Sequence, residues 1–119
     1  MQFKTLKGKD KKVNLAKYLI SWDEDSLSKF QFNVKRFLYP YWRHNVVLEE
    51  LRIPGSRMSV DLVNITKGIA VEIQGSSHHT GYNKHFHNNS PLNYLSQIKR
   101  DIDKQKWCEL NGVKHVEIF

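Results

Sequence analysis

Two acidic residues stand on consecutive strand-like segments of the sequence, each within a largely apolar run. Asp61 lies in RMSVDLVNI and Glu72 lies in IAVEIQG, with only TKG between the segments. A buried carboxylate is costly unless it is paired or binds a metal, so a plain core strand gains nothing from Glu72. Because a tight turn joins the strands, we expect the two carboxylates to converge. Two such hard oxygen donors suit a Mg²⁺ ion that keeps several water ligands.

A simpler interpretation treats Asp61 and Glu72 as exposed acids on the solvent face of a half-covered sheet, and spacing alone leaves both interpretations open. Gln74 shares a face with Glu72, because side chains two residues apart in a strand point the same way. An ion held by these residues would polarise a scissile phosphate and generate hydroxide from bound water.

A histidine-rich segment, SSHHTGYNKHFHNNSP, follows the second of these strands. His78 comes just after the strand end, where it would act as a general base, although an ordinary turn histidine is the alternative. Zinc is not expected, because structural zinc sites usually include cysteines and Cys108 is alone. The segment is either a polar arm that contacts DNA, with Lys84 on a phosphate, or a solvated loop.

Composition favours one folded domain with a polyanionic partner. The 119 residues suffice for a single core, and the net charge of +7 suits nucleic acid, although a solvated basic surface is the alternative. The single cysteine, Cys108, excludes a disulfide within the chain and indicates a reducing setting. No apolar run approaches the roughly 20 residues that cross a bilayer, and the first residues do not resemble a signal peptide. We therefore expect a cytoplasmic protein without a membrane partner.

The elements that position these residues follow from apolar periodicity. Residues 1–13 are polar and basic, which predicts a loose arm or an entry to the first helix, and Asn14 is a suitable cap for a short helix. A longer helix begins near Ser26 and should end at Pro40. Its predicted apolar face consists of Leu27, Phe30, Val34 and Phe37.

Three strands should follow, over 45–52, 57–65 and 69–75, and their short connections predict an antiparallel meander. A second helix begins near Pro91 and ends near Asn111-Gly112, after which VKHVEIF is predicted to pair in parallel. The predicted fold class is therefore α/β (α+β in the broad sense), in the order α-β-β-β-α-β. The predicted apolar face of the second helix consists of Leu92, Leu95, Ile98 and Ile102.

The run SVDLVNITKGIAVEIQG resembles the core of the PD-(D/E)XK nuclease superfamily. The continuation VEIQGSSHH…DIDKQKWCELNG resembles the branch related to the very-short-patch repair endonuclease, whose EDxHD-type members include phage-associated homing endonucleases. This resemblance implies a restriction-endonuclease-like fold and hydrolysis of DNA phosphodiester bonds with Mg²⁺, or with Mn²⁺ in its place. It also implies the cytoplasm of a bacterial or phage-infected cell.

The resemblance assigns roles residue by residue. It makes Asp61 the central metal ligand and Glu72 the acidic residue of the second strand. Gln74 stands where many members have lysine and where this branch usually has aspartate. His78 matches the branch's histidine, and Asp101 matches the aspartate of the following helix, from which it would orient His78.

Two departures from the family pattern concern the catalytic residues. Gln74 lacks the positive charge of a lysine, although it would still orient the attacking water. Gln31 stands where a glutamate is usual, so either Glu50 replaces that ligand or fewer protein oxygens hold the metal. The further DNA contacts expected on the surface are Arg43, Lys99, Arg100 and Lys104.

The function expected from these observations is that of a metal-dependent DNA endonuclease. With one site per chain, a homodimer is one way to cut both strands. Three alternatives stay open at this point. One is a catalytically weakened DNA-binding module of the same fold, and another is a Holliday-junction or branched-DNA resolvase that reads shape. The third, an RNA-directed protein, lacks support from any aromatic ribonucleoprotein motif.

Overall fold

The computed structural model describes residues 1–24, 28–73 and 91–118. Within these ranges the chain forms two long helices and two β-sheets, which confirms the predicted α/β (α+β) class. The order α-β-β-β-α-β is also present, and a hairpin precedes it. The elements are β1 (Gln2–Lys4), β2 (Asp10–Lys12), α1 (Lys29–Trp42), β3 (Val47–Arg52), β4 (Ser59–Asn64), β5 (Ile69–Ile73), α2 (Pro91–Leu110) and β6 (Lys114–Ile118).

The first 13 residues form an ordered hairpin where a loose arm was expected. Strands β1 and β2 pair antiparallel, and the Phe3 side chain is only 3% exposed. Its ring packs against Trp107 of α2 with 5.5 Å between centroids. The backbone N–H of Lys4 donates to Asn111 Oδ1 at 2.7 Å. Leu6 and Val13 of the same segment pack, partly buried, against this cluster. A few apolar side chains in a basic segment therefore dock the hairpin onto the core.

The segment between the hairpin and α1 runs along the outer edge of β3. As predicted, Asn14 caps a short helix, a 3-10 turn over Leu15–Lys17, and accepts a hydrogen bond from the N–H of Ala16. Beyond it, the Glu49 N–H donates to the Tyr18 carbonyl at 2.8 Å. The first half of this edge strand is therefore covered, which satisfies outer backbone groups of Val47 and Glu49.

The main sheet has the strand order β3-β4-β5-β6. Strands β3, β4 and β5 form the predicted antiparallel meander, and β6 pairs in parallel with β5 after the α2 crossover, also as predicted. Gly68, at φ +67°, makes the turn between β4 and β5 possible, because this backbone region is costly for other residues. This connection places the middle of β4 beside the end of β5.

Helix α1 buries a different face from the predicted one. Its Ser28 cap accepts from the Gln31 N–H at 3.0 Å. Of the predicted apolar residues, Val34 is buried, but Phe30 is 37% and Phe37 is 70% exposed; Leu27 lies outside the described residues. The buried positions of the helix are Gln31, Val34, Lys35 and Trp42. The prediction failed because two polar residues face inward, where acids on β3 pair with them.

Pro40 does not end α1, which continues to Trp42. A proline removes one backbone donor and crowds the preceding turn, so a terminal turn tolerates it better than the middle of a helix. The helix closes with Arg43, whose N–H donates to the Tyr39 carbonyl at 2.9 Å.

The predicted apolar face of α2 is exposed, which corrects the assignment made from periodicity. The helix is anchored near its other end, where Trp107 and Cys108 are fully buried. Its end near Asn111-Gly112 agrees with the prediction, with Gly112 at φ +66°. The exposed fractions of the predicted face are 74% for Leu92, 57% for Leu95, 37% for Ile98 and 57% for Ile102.

Two apolar clusters lie on the two faces of the main sheet. One contains Val63 and Ala70 together with Phe3 and Trp107, and the other contains residues of α1. The sheet is thus covered by the hairpin and α2 on one face and by α1 on the other. Within the described ranges, neither helix is long and apolar enough to cross a membrane.

Candidate active site

The structure brings Asp61 and Glu72 together, as predicted. Leu62 of β4 pairs with Val71 of β5, so the next position of this register sets Asp61 beside Glu72. Asp61 Oδ2 also accepts the backbone N–H of Ile73 at 2.8 Å, which fixes the carboxylate at the end of β5. The charge of Asp61 acts directly on Glu72. The two carboxylates therefore share one small region of the sheet.

Glu72 is not an exposed acid of a solvated face, since its residue surface is only 4% exposed. Burial, and after it the neighbouring charge of Asp61, raise the pKa of Glu72 to about 8. Lys104 opposes both effects, with its Nζ 2.9 Å from Glu72 Oε1. The simpler interpretation of the sequence is thus wrong for Glu72, which is a buried carboxyl with one cationic partner.

Glu50 adds a third carboxyl group to this row. It lies between the pairs Glu49–Leu62 and Leu51–Val60, directly opposite Asp61. Burial raises the pKa of Glu50, and the charges of Asp61 and Glu49 act in the same direction. Gln31 of α1 stands where the resembled branch usually has a glutamate. The position of Glu50 opposite Asp61 favours the alternative in which Glu50 replaces that glutamate.

The backbone of Glu50 adopts φ +55°, the only positive φ at a non-glycine residue in the described ranges. This conformation costs about 1–2 kcal/mol for a residue with a Cβ atom. The pairing of β3 with β4 keeps its register on both sides of Glu50. Leu48 and Leu51 nevertheless belong to the same core cluster although they are three residues apart. The alternation of side chains between the two faces of β3 therefore shifts by one residue at Glu50. A strained residue opposite Asp61 is consistent with a functional position.

Gln31 holds the acids of β3 in place from α1. Its Nε2 donates to Glu49 Oε2 and to Glu50 Oε1, both at 2.9 Å. The hydrogen bond to Glu50 stabilises the charged form of that residue and lowers its pKa against the effect of burial. A glutamate at this position would instead add a third negative charge beside two carboxylates. Gln31 is therefore a positioning residue, which acts by holding the carboxylate of Glu50 in place. The sequence indicated that Gln31 belongs to the site but not which residues it contacts.

Lys35 completes the same polar network beneath α1. Its side chain is fully buried, and its Nζ lies 2.9 Å from Glu49 Oε1 and 3.1 Å from the Glu24 carbonyl oxygen. A buried lysine requires such partners, because an unpaired ammonium away from water is strongly disfavoured. The network fixes α1 to β3 next to the acidic row.

The other charged residues predicted for the site, on α2 and after α1, do not contact the acidic row in the way that Lys104 does. Asp101 is half-buried, and its charge acts on His115, whose pKa is lowered chiefly by burial. Lys99 and Arg100 are exposed, as is Arg43 at the end of α1. Among these predicted cations, Lys104 is the one that the structure pairs with the acidic row.

Three predicted site residues, Gln74, His78 and Lys84, lie outside the described residues. The orientation of His78 by Asp101 and the role of the histidine-rich segment therefore stay predictions.

Among the described residues, the carboxylate donors Asp61 and Glu72 are of the type that a magnesium ion prefers. No group of three or more His, Cys, Asp or Glu side chains in the described ranges is arranged to hold a metal. A Mg²⁺ ion that keeps several waters needs only one or two carboxylates, and Asp61 with Glu72 provides such a pair. A divalent cation would relieve the repulsion that raises the pKa of Glu72.

The pairing of Lys104 with Glu72 was missed in the sequence, although a signal for it exists. Lys104 lies three and four residues before Trp107 and Cys108, the buried anchors of α2. Residues at these spacings share a helix face, so the buried pair predicts that Lys104 turns toward the sheet. The longer apolar run at the start of the helix obscured this signal.

Part of the chain is similar to a viral protein. "Uncharacterized protein 033L" of Invertebrate iridescent virus 3 is 35% identical to this chain over 66 residues. The match covers 56% of this chain and 33% of the viral protein, so it spans about a third of that relative's length. No protein-family model matches the chain, and no solved structure matches it.

Proposed function

We propose that this protein is a metal-dependent DNA endonuclease of the PD-(D/E)XK type. The observation that carries the proposal is the buried Glu72, set beside Asp61 on the neighbouring strand and paired with Lys104. A buried acid beside a second, half-buried acid, with a single cation, is an uncommon arrangement in a structural core. Perturbed carboxyl groups of this kind cluster at functional sites. The basic charge of the chain supports a polyanionic substrate.

In the proposed mechanism, Asp61 and Glu72 would hold a Mg²⁺ or Mn²⁺ ion. When bound, that ion supplies charge stabilisation and a water of lowered pKa. Glu50 supports the same row of acids, and Gln31 keeps its carboxylate in place. Gln74 stands where many members of the family have a lysine, and it carries no charge. Lys104 of α2 provides the positive charge instead. Gln74 orients the attacking water, and His78 with Asp101 assists proton transfer.

A second candidate is DNA binding without cleavage. The Lys104–Glu72 ion pair favours it, because this contact already compensates the charge of the buried carboxylate. In that case the acids would stabilise the fold, and the basic surface alone would bind DNA.

Cleavage of supercoiled and branched DNA in Mg²⁺, Mn²⁺ or EDTA tests the proposal. Asp61→Asn is the informative variant, because an asparagine oxygen still accepts the Ile73 N–H while the negative charge is lost. Glu109→Gln, at an exposed position of α2, is the matched control. We expect metal-dependent cutting by wild type and Glu109→Gln, and a loss of at least about 100-fold in Asp61→Asn. Intact DNA in every condition, with binding retained, would instead support the second candidate. A preference for branched DNA would identify a resolvase.

The role of Lys104 has its own test. Lys104→Gln should lower cleavage by roughly 10²–10³-fold while metal binding is kept, because the lost group stabilises charge in the transition state. Lys106→Gln removes the same charge from an exposed neighbouring position and should leave cleavage within about threefold. Equal effects of the two substitutions would contradict a specific role of Lys104.

A further inference from the structure

A basic cleft lies between the hairpin segment and the end of β3. It has a volume of about 230 Å³ and is lined by residues 11–14, 17 and 18 on one side and by Arg52, Pro54 and Gly55 on the other. Four of the lining residues are cations, and none of the lining residues is acidic. The cations are Lys11, Lys12, Lys17 and Arg52.

No ion pair among the described residues neutralises the charges of this basic cleft. All four cationic residues are exposed. In the described ranges, the ion pairs involve Lys4, Lys35 and Lys104, and none of the four cations of the cleft. The acid nearest in sequence, Asp10, pairs with Lys4 at 3.1 Å. The cleft therefore presents concentrated positive charge to solvent, which favours a polyanion.

The basic cleft adjoins the acidic row through β3 itself. Arg52 lies two residues after Glu50 on this strand, a separation of about 7 Å along the chain. On the opposite wall, the Tyr18 carbonyl accepts the Glu49 N–H, so the segment that carries Lys17 is bonded to the strand that carries Glu50. A bound chain of phosphates that passes through the cleft would thus lead to the acids.

Ordered elements hold the cations on both walls. Lys11 and Lys12 belong to β2, Lys17 belongs to the 3-10 turn, and Arg52 ends β3 opposite Ser59. Phe3 anchors the hairpin in the core. Because these backbones are ordered, the four cationic side chains start from set positions relative to the acidic row, which suits a track for a regular polyanion.

We propose that the basic cleft formed by Lys11, Lys12, Lys17 and Arg52 binds the phosphodiester backbone of double-stranded DNA and leads it to the acidic row of Glu50, Asp61 and Glu72. The inference deepens the proposed nuclease function, because it names the surface that holds the substrate beside the scissile bond. Contacts of this type fix the register of the duplex and read no bases.

The test measures DNA binding without cleavage, so that its outcome is separate from that of the nuclease proposal. Fluorescence anisotropy of a labelled duplex is recorded in EDTA over a range of NaCl concentrations, with the whole chain. The test variant carries Lys11→Gln, Lys12→Gln and Lys17→Gln. The control variant carries Lys67→Gln, Lys106→Gln and Lys114→Gln, which remove the same charge from exposed positions. Lys67 and Lys114 lie by the start of β5, at the end of the sheet away from Glu72. Thermal unfolding checks that both variants fold.

We expect the test variant to bind at least about tenfold more weakly at low salt, with a slope of log K against log[NaCl] less negative by roughly 2–3. The control variant should keep most of the wild-type slope. Equal losses in the two variants, or no binding of DNA by wild type, would overturn the proposal. Displacement of DNA by millimolar inorganic phosphate, with no effect of chloride at equal ionic strength, would identify a site for free phosphate and would also overturn it. Loss of cleavage with intact binding would leave this inference standing and reject only the nuclease.

Discussion

At the scale of single residues, Glu72 connects the stability of the protein with its chemistry. Its carboxyl group is buried beside Asp61, and Lys104 is its cationic partner. Burial favours the neutral form of the acid, whereas the ion pair favours the charged form. Because the pKa of Glu72 rises from 4.5 to about 8, burial and the Asp61 charge outweigh Lys104 when no metal is bound.

A pH dependence of stability follows from this shift. A carboxyl group with a raised pKa in the folded state stabilises the protein fully below its unfolded pKa, and this contribution is lost as the pH rises toward 8. In EDTA, the free energy of unfolding should fall by up to about 4 kcal/mol between about pH 5 and pH 9. Glu50, with its pKa also raised, acts in the same direction.

Urea unfolding across this pH range measures the effect. Glu72→Gln imitates the neutral acid, so it should remove most of the dependence and exceed wild type in stability at high pH. Glu109→Gln, an exposed control on α2, should keep the wild-type profile. A Glu72→Gln variant with an unchanged profile would show that another group titrates.

The glutamine of α1 allows a second residue-scale prediction. Gln31→Glu restores the residue usual in the resembled family, but it removes two donors and places a carboxylate against Glu49 and Glu50. We expect a loss of about 2–4 kcal/mol in the free energy of unfolding at neutral pH. Asn33→Asp adds the same charge on the exposed side of the helix and should change stability by less than about 1 kcal/mol. An equally stable Gln31→Glu protein would refute the positioning role.

At the scale of elements, the sequence predicted strands better than helix faces. Apolar alternation and turn residues located β3, β4, β5 and β6, so the approach of Asp61 to Glu72 followed from topology. The faces of α1 and α2 did not follow, because their most apolar rows are exposed while Gln31, Lys35 and Lys104 turn inward. Periodicity identifies apolar rows, but the acids of the sheet decided which polar residues became buried.

The buried anchors of α2 give a prediction at this scale. Leu95→Gln and Ile102→Gln change side chains that are each 57% exposed, so each should cost less than about 1 kcal/mol. Trp107→Ala removes a fully buried ring that packs on Phe3, and it should cost about 3–5 kcal/mol. Chemical denaturation compares the three variants. A cost for Ile102→Gln as large as that for Trp107→Ala would contradict the exposed placement of this face.

At the scale of the whole molecule, opposite charges are concentrated in adjoining regions. The net charge of +7 was evident from composition, but its distribution was not, because the basic hairpin segment was expected to be loose. Docked by Phe3, that segment forms one wall of the basic cleft beside the end of β3. A basic surface next to a row of acids suits the proposed nuclease, in which the cations would bind the phosphate backbone and the acids would bind the metal.

The central claim is that Asp61 and Glu72 hold a divalent cation, and calorimetric titration with Mn²⁺ tests it most directly. At pH 7, in two buffers of different ionisation enthalpy, we predict one Mn²⁺ per chain. Binding should release up to one proton, because the pKa of Glu72 near 8 keeps this acid largely neutral before the ion binds. Asp61→Asn should abolish the binding heat, and Glu109→Gln should retain it. Absence of binding by the folded wild-type protein at millimolar Mn²⁺, or equal binding by Asp61→Asn, would contradict the claim.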